Sequence, residues 1–170
     1  TKRVHNGSVA VRWGELWTTG SGFRILGHNR RMFKRQTVPS KPVHTDADLH
    51  HMWLSLRDPW RPSCSRISCV LFDSARVPRP HTVDIDVMAS PEPERLSMIL
   101  DVLEDMIRVV APGGSVAVQY VSQSASPVDT LASKWLELIE SELKARSLDS
   151  WPVYAGNGAD VWRAETRISA

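Results

Sequence analysis

The chain has 170 residues, 42% of them hydrophobic and 24% charged, a composition that gives one folded globular domain with a full core. No apolar run approaches the length of a bilayer span, which excludes a membrane partner, and no signal-peptide pattern, repeat or low-complexity tract is present. A net charge of +2 selects no partner by itself, so the distribution of charge matters more than its sum.

The first residue is Thr rather than Met, so the chain is expected to be processed or cut from a larger protein, with a parent chain or assembly as its setting. Residues 9–19 read as a helix with Val9, Trp13, Leu16 and Trp17 inward, although Gly14 weakens it by about 1 kcal/mol. Residues 23–27 read as a short strand. Arg24, Arg30, Arg31, Lys34, Arg35 and Lys41 form the densest positive stretch, either a solvated face or a track for RNA phosphates. Residues 43–46 end a strand, and residues 49–56 read as a helix. Cys64 and Cys69 read as reduced thiols of a cytoplasmic protein, since no second Cys/His pair has metal-ligand spacing.

Residues 67–72 are a second apolar strand that ends in Asp73 and opens into a loop over 74–90. An Asp at the carboxyl end of a strand is either a ligand-binding residue or a turn cap. Leu96, Ile99, Leu100, Leu103, Met106, Ile107 and Val110 recur at three- and four-residue steps, which gives one apolar helix face. Pro91 and Pro93 stand at its start, where a missing N–H costs little, and Gly113-Gly114 stop it. The β-branched run 115–121 reads as a strand covered on both faces. Residues 127–146 are a second amphipathic helix, and 151–154 and 160–168 are strands joined by Ala155-Gly156-Asn157-Gly158. Helix, tight turn and inner strand together make a layered α/β sheet.

The order of these pieces carries a resemblance. Val70-Leu71-Phe72-Asp73-Ser74-Ala75-Arg76-Val77-Pro78, then a helix, then Val110-Ala111-Pro112-Gly113-Gly114-Ser115-Val116-Ala117-Val118-Gln119, resembles the second half of the FtsJ/RrmJ-like ribose 2′-O-methyltransferases. The cap methyltransferase domains of RNA viruses are similar. Residues 23–32 resemble that family's second strand, Thr45-Asp46-Ala47-Asp48 its third-strand acidic motif, and Asp160-Val161-Trp162 its final strand.

The resemblance implies a single α/β domain over residues 1–170 with the Rossmann-like fold of S-adenosylmethionine-dependent methyltransferases. Its central sheet would be mostly parallel, with helices on both faces. It also implies S-adenosylmethionine as cofactor and an RNA ribose hydroxyl as acceptor, in RNA or mRNA cap modification. The family uses a Lys-Asp-Lys-Glu tetrad, in which a Lys held by carboxylates orients or deprotonates the hydroxyl. The family's Asp falls on Asp73, its central Lys on Gln119 and its late Glu near Asp160; the first Lys has no counterpart. The cofactor set falls on Gly7, Ser8, Asn29, Asp46 and Asp73, and the RNA-facing cations are Arg30, Arg31, Arg76 and Arg79. Asp73 and Gln119 are expected side by side at the carboxyl ends of adjacent strands. Gln cannot titrate, so two readings stand: a methyltransferase, or a methyltransferase-like pseudoenzyme that serves as a binding or structural module.

Overall fold

The computed structural model describes residues 38–57, 62–87, 90–124 and 130–164. The helix expected over 9–19 and the strand expected over 23–27 lie outside the described residues.

The elements in chain order are α1 (Asp46–Ser55), β1 (Arg66–Phe72), β2 (Pro78–Asp86), α2 (Pro93–Val110), β3 (Ser115–Val121), α3 (Thr130–Ala145), β4 (Tyr154–Gly156) and β5 (Val161–Arg163). The five strands form one sheet in the order β2-β1-β3-β4-β5. As its largely apolar run leads one to expect, β3 is the middle strand, and all seven of its residues are buried.

Helices cover both faces of the sheet. The apolar stripe of α2, from Leu96 to Ile107, packs with Trp135, Leu136 and Ile139 of α3 on the side chains of Ile67, Cys69, Leu71, Val116, Val118 and Tyr120. The alternate residues of the same strands, Val70, Phe72 and Ala117, meet Leu49, Met52 and Trp53 of α1 on the opposite face. Tyr154 and Val161 complete that second core. Among the described residues, no helix is long and apolar enough to cross a membrane.

The sheet is mixed, not mostly parallel. Only β3 and β4 pair in parallel; β1 pairs antiparallel with both β2 and β3, and β4 antiparallel with β5. The expected antiparallel last strand is therefore present, over Val161–Arg163. The reversal comes from the stretch expected as a loop over 74–90, most of which is β2. Asp73 accepts hydrogen bonds from the backbone N–H of Ala75 (2.9 Å) and Val77 (3.0 Å), which closes a tight turn and sends the chain back along β1. Pro78 and Pro80 are accommodated because β2 is an edge strand, where prolines are tolerated. With the direction reversed, α2 carries the chain from β2 past β1 to β3, and the Asp73 strand ends antiparallel to its neighbour.

The start of α1 also differs from expectation. Thr45-Asp46-Ala47-Asp48, expected on a strand, is an N-cap and first helical turn. The Thr45 hydroxyl oxygen accepts from Asp48 N–H at 3.1 Å, and Asp48 Oδ2 accepts from Thr45 N–H at 2.9 Å, a reciprocal capping box. Bonds from the Thr45 side chain, then from the His44 and Thr45 backbone, hold the Asp48 carboxyl below its ordinary value of 3.8. A lowered folded pKa means that this contribution is complete above about pH 4 and is lost as the pH falls through the folded value. Asp48→Asn is therefore expected to flatten the acid limb of stability against pH, measured by thermal unfolding between pH 5 and pH 2 (roughly the carboxylate range). An unchanged acid limb would show that the cap does not contribute.

Candidate functional site

Asp73 and Gln119 are not side by side. Phe72 lies opposite Ser115 and Ser68 opposite Gln119, so Asp73 sits at the end of the sheet where β3 begins. Five residue steps at about 3.4 Å each place Gln119 roughly 17 Å further along. Asp73 Oδ1 is taken up by the turn it closes, which is the capping role. The Asp73 N–H also donates to Val77 C=O (3.1 Å), and Arg76 N–H to Asp73 C=O (2.9 Å).

Gln119 lies on the α1 face of β3 and is 6% exposed. Its amide Nε2 rests over Gly156, where a Cβ would approach to 2.7 Å, and the Asp160 backbone oxygen lies 3.2 Å from the same point. The structure thus brings Gln119 and the Asp160 backbone together around Gly156, at the carboxyl ends of the parallel pair β3–β4. In the same row across the sheet, Ser68 donates to Asp84 Oδ1 at 2.6 Å. The Asp160 side chain is exposed, and its N–H donates to Asn157 Oδ1 (2.9 Å) in the turn between β4 and β5. Among the described residues, this corner holds an amide, a hydroxyl and carboxylates, and no Lys.

A third group ties α1 to the last two strands. The Tyr154 hydroxyl donates to Asp46 Oδ1 at 3.0 Å, and the Arg163 guanidinium lies 3.7 Å from Asp46 Oδ2. The His50 ring stacks on Tyr154, with centroids 5.9 Å apart, and its Nε2 donates to Val161 C=O at 3.1 Å. Burial, and then the bond to Asp46, push the Tyr154 phenol up to about 12, so it remains a neutral donor. Both Asp46 oxygens are engaged within the fold, and the carboxylate fastens the helix. Neither His50 nor Tyr154 stands out in the sequence, because the contact joins residues more than a hundred positions apart.

Of the residues that the resemblance assigns to S-adenosylmethionine, Gly7, Ser8 and Asn29 lie outside the described residues. Asp46 and Asp73 are described, and both carboxylates are committed to internal bonds. No family model and no curated protein matches the chain.

The cations divide in the same way. Arg30 and Arg31 lie outside the described residues. Arg76 stands on the turn beside Asp73, exposed, with its guanidinium carbon 5.4 Å from the centre of the Trp151 ring. Arg79, two residues into the returning edge, is half-buried, and its Nε finds no hydrogen-bond partner. Val43 N–H donates to Arg76 C=O at 2.9 Å, which brings the exposed Lys41 segment against the same turn. No carboxylate forms an ion pair with Lys41, Arg76 or Arg79 among the described residues. Trp151, expected within a strand over 151–154, lies before β4 and lines this edge.

Proposed function

We propose that the chain is a non-catalytic α/β module that binds RNA along the edge carrying Lys41, Arg76 and Arg79, within a larger chain or assembly. The observation that carries this reading is the antiparallel pairing of β1 with β3. A ribose methyltransferase of the kind the sequence resembles needs its Asp and its central cation in one cleft, and this register supports no such cleft. A second feature agrees. In open α/β sheets a ligand crevice opens where successive crossovers pass to opposite sides. Here α2 and α3 both pack on one face, and the chain advances from β2 to β3 to β4 in one direction, so the described crossovers open no such crevice beside β3. Helices on both faces remain compatible with a diverged Rossmann-like ancestor.

RNA is the partner because Arg76 meets an aromatic ring at one end of the sheet, Lys41 and Arg79 lie on the segments that adjoin its turn without acidic partners among the described residues, and the basic run from Arg24 precedes Lys41 in sequence. The test is binding of labelled RNA by the whole chain over a range of salt. Affinity should fall steeply with salt, and the Arg76→Glu/Arg79→Glu double variant should bind about tenfold more weakly or worse, with a shallower salt slope. Salt-independent binding, or binding that the reversal leaves intact, would count against the assigned edge. Methyl transfer by the natural chain that disappears in Asp73→Ala would overturn the non-catalytic reading.

A further inference from the structure

Arg76 is held in an unusual way. Its φ is 60°, in the left-handed region, where an L residue with a side chain is strained by about 1–2 kcal/mol. The surrounding bonds fix it there: the Asp73 carboxylate closes the turn, and Val43 N–H takes the Arg76 carbonyl. The same turn sets the Arg76 guanidinium over an aromatic ring. The buried Phe72 ring lies 5.5 Å from Trp151, and the Arg76 guanidinium lies 5.4 Å over Trp151 and reaches solvent. Trp151 is itself fixed, its Nε1–H donating to Ser115 Oγ (3.1 Å) and its backbone N–H to Val116 C=O (2.9 Å).

We infer that the exposed Arg76 guanidinium, seated over Trp151, is a platform for an unpaired nucleobase, so that the module takes single-stranded rather than duplex RNA. This rests on the RNA-binding reading above. A guanidinium is planar and weakly hydrated, and its open face stacks on a base as readily as on an indole. Bases inside a duplex hide their faces, whereas those of a single strand present them. Lys41 is exposed on the segment that Val43 ties to the Arg76 turn, and its charge would serve an adjoining phosphate.

The test compares a single strand, its duplex and a single strand with abasic positions, each bound to the whole chain and followed by fluorescence anisotropy. The natural chain should prefer the single strand, and removing bases should weaken binding. Arg76→Lys keeps the charge and loses the planar surface. It should bind the single strand roughly fivefold more weakly or worse, leave the abasic strand unaffected and keep the salt slope. Equal affinity for single strand and duplex, with Arg76→Lys indistinguishable from the natural chain, would overturn the platform while leaving phosphate binding in place. No binding of any RNA would overturn both readings.

Discussion

Replacing Gly114 with alanine is expected to destabilise the protein by ~4 kcal/mol or more, enough to unfold a domain of ordinary stability. A Cβ at this position would stand 1.9 Å from the Phe72 carbonyl oxygen and 2.7 Å from that of Ala111. Both are backbone atoms in packed elements, so neither can move aside as a flexible side chain would. Gly113 has the opposite problem. Its φ is 71°, but a Cβ there would meet nothing closer than Ser74 Cβ at 3.9 Å. Gly113→Ala should therefore cost only the left-handed strain, about 1–2 kcal/mol. The two glycines are adjacent in sequence and do different work: one turns the chain, and the other lets the start of β3 lie against the end of β1. Thermal unfolding of both variants checks this. Equal losses would mean that the close approach to Phe72 is absent.

Gln119→Lys, the substitution that would supply the resembled family's missing cation, is expected to weaken the fold and to create no methyl transfer. The side chain is 94% buried on the α1 face, against Gly156. A lone ammonium there is desolvated, and its pKa falls by several units; at about 1.4 kcal/mol per unit the cost at neutral pH is roughly 4 kcal/mol. A base with a lowered folded pKa is most destabilising at low pH, and the penalty shrinks as the pH rises toward ~10, where the unfolded lysine also loses its proton. Gln119→Leu is a contrasting variant. It introduces no charge, and the Gln amide it removes has no hydrogen-bond partner among the described residues, so the change should be nearly neutral. Chemical denaturation at two pH values separates these outcomes. A Lys variant as stable as the natural chain, or one that transfers methyl groups, would return Gln119 to an open cleft.

Much of the fold could be read where periodicity was strong. The α2 stripe from Leu96 to Ile107, the buried strand Ser115–Val121 and the α3 positions Trp135, Ile139 and Leu143 all face a core as their spacing requires. Strand direction could not be read, because an apolar run has the same pattern either way along. It was decided by the turn that Asp73 closes and by β2, whose prolines and half-exposed residues resemble a loop in sequence. The capping box at Thr45 and Asp48 was present in the sequence, but with Asp in the place usually held by Glu or Gln, and it was read as part of a strand.

The candidate site was less legible for the same reason. Asp73 is at a strand's carboxyl end and Gln119 does follow the Gly-Gly turn, yet the reversal sends them to opposite ends of the sheet. Gln119 and the Asp160 backbone do meet, because β3 and β4 are parallel and the β4–β5 hairpin folds back over Gly156. Arg76 was a candidate from its place after the strand. Its seat on Trp151 depends on residues 75 positions apart, which no local pattern reveals.

The pairing of β1 with β3 is the point on which fold and function both turn, and cross-strand nuclear Overhauser contacts between their backbones measure it directly. The account predicts contacts of Ser68 with Gln119 and of Phe72 with Ser115, the antiparallel register. Contacts that instead place Phe72 beside Gln119, with the two strands running the same way, would bring Asp73 and Gln119 into one cleft and contradict it.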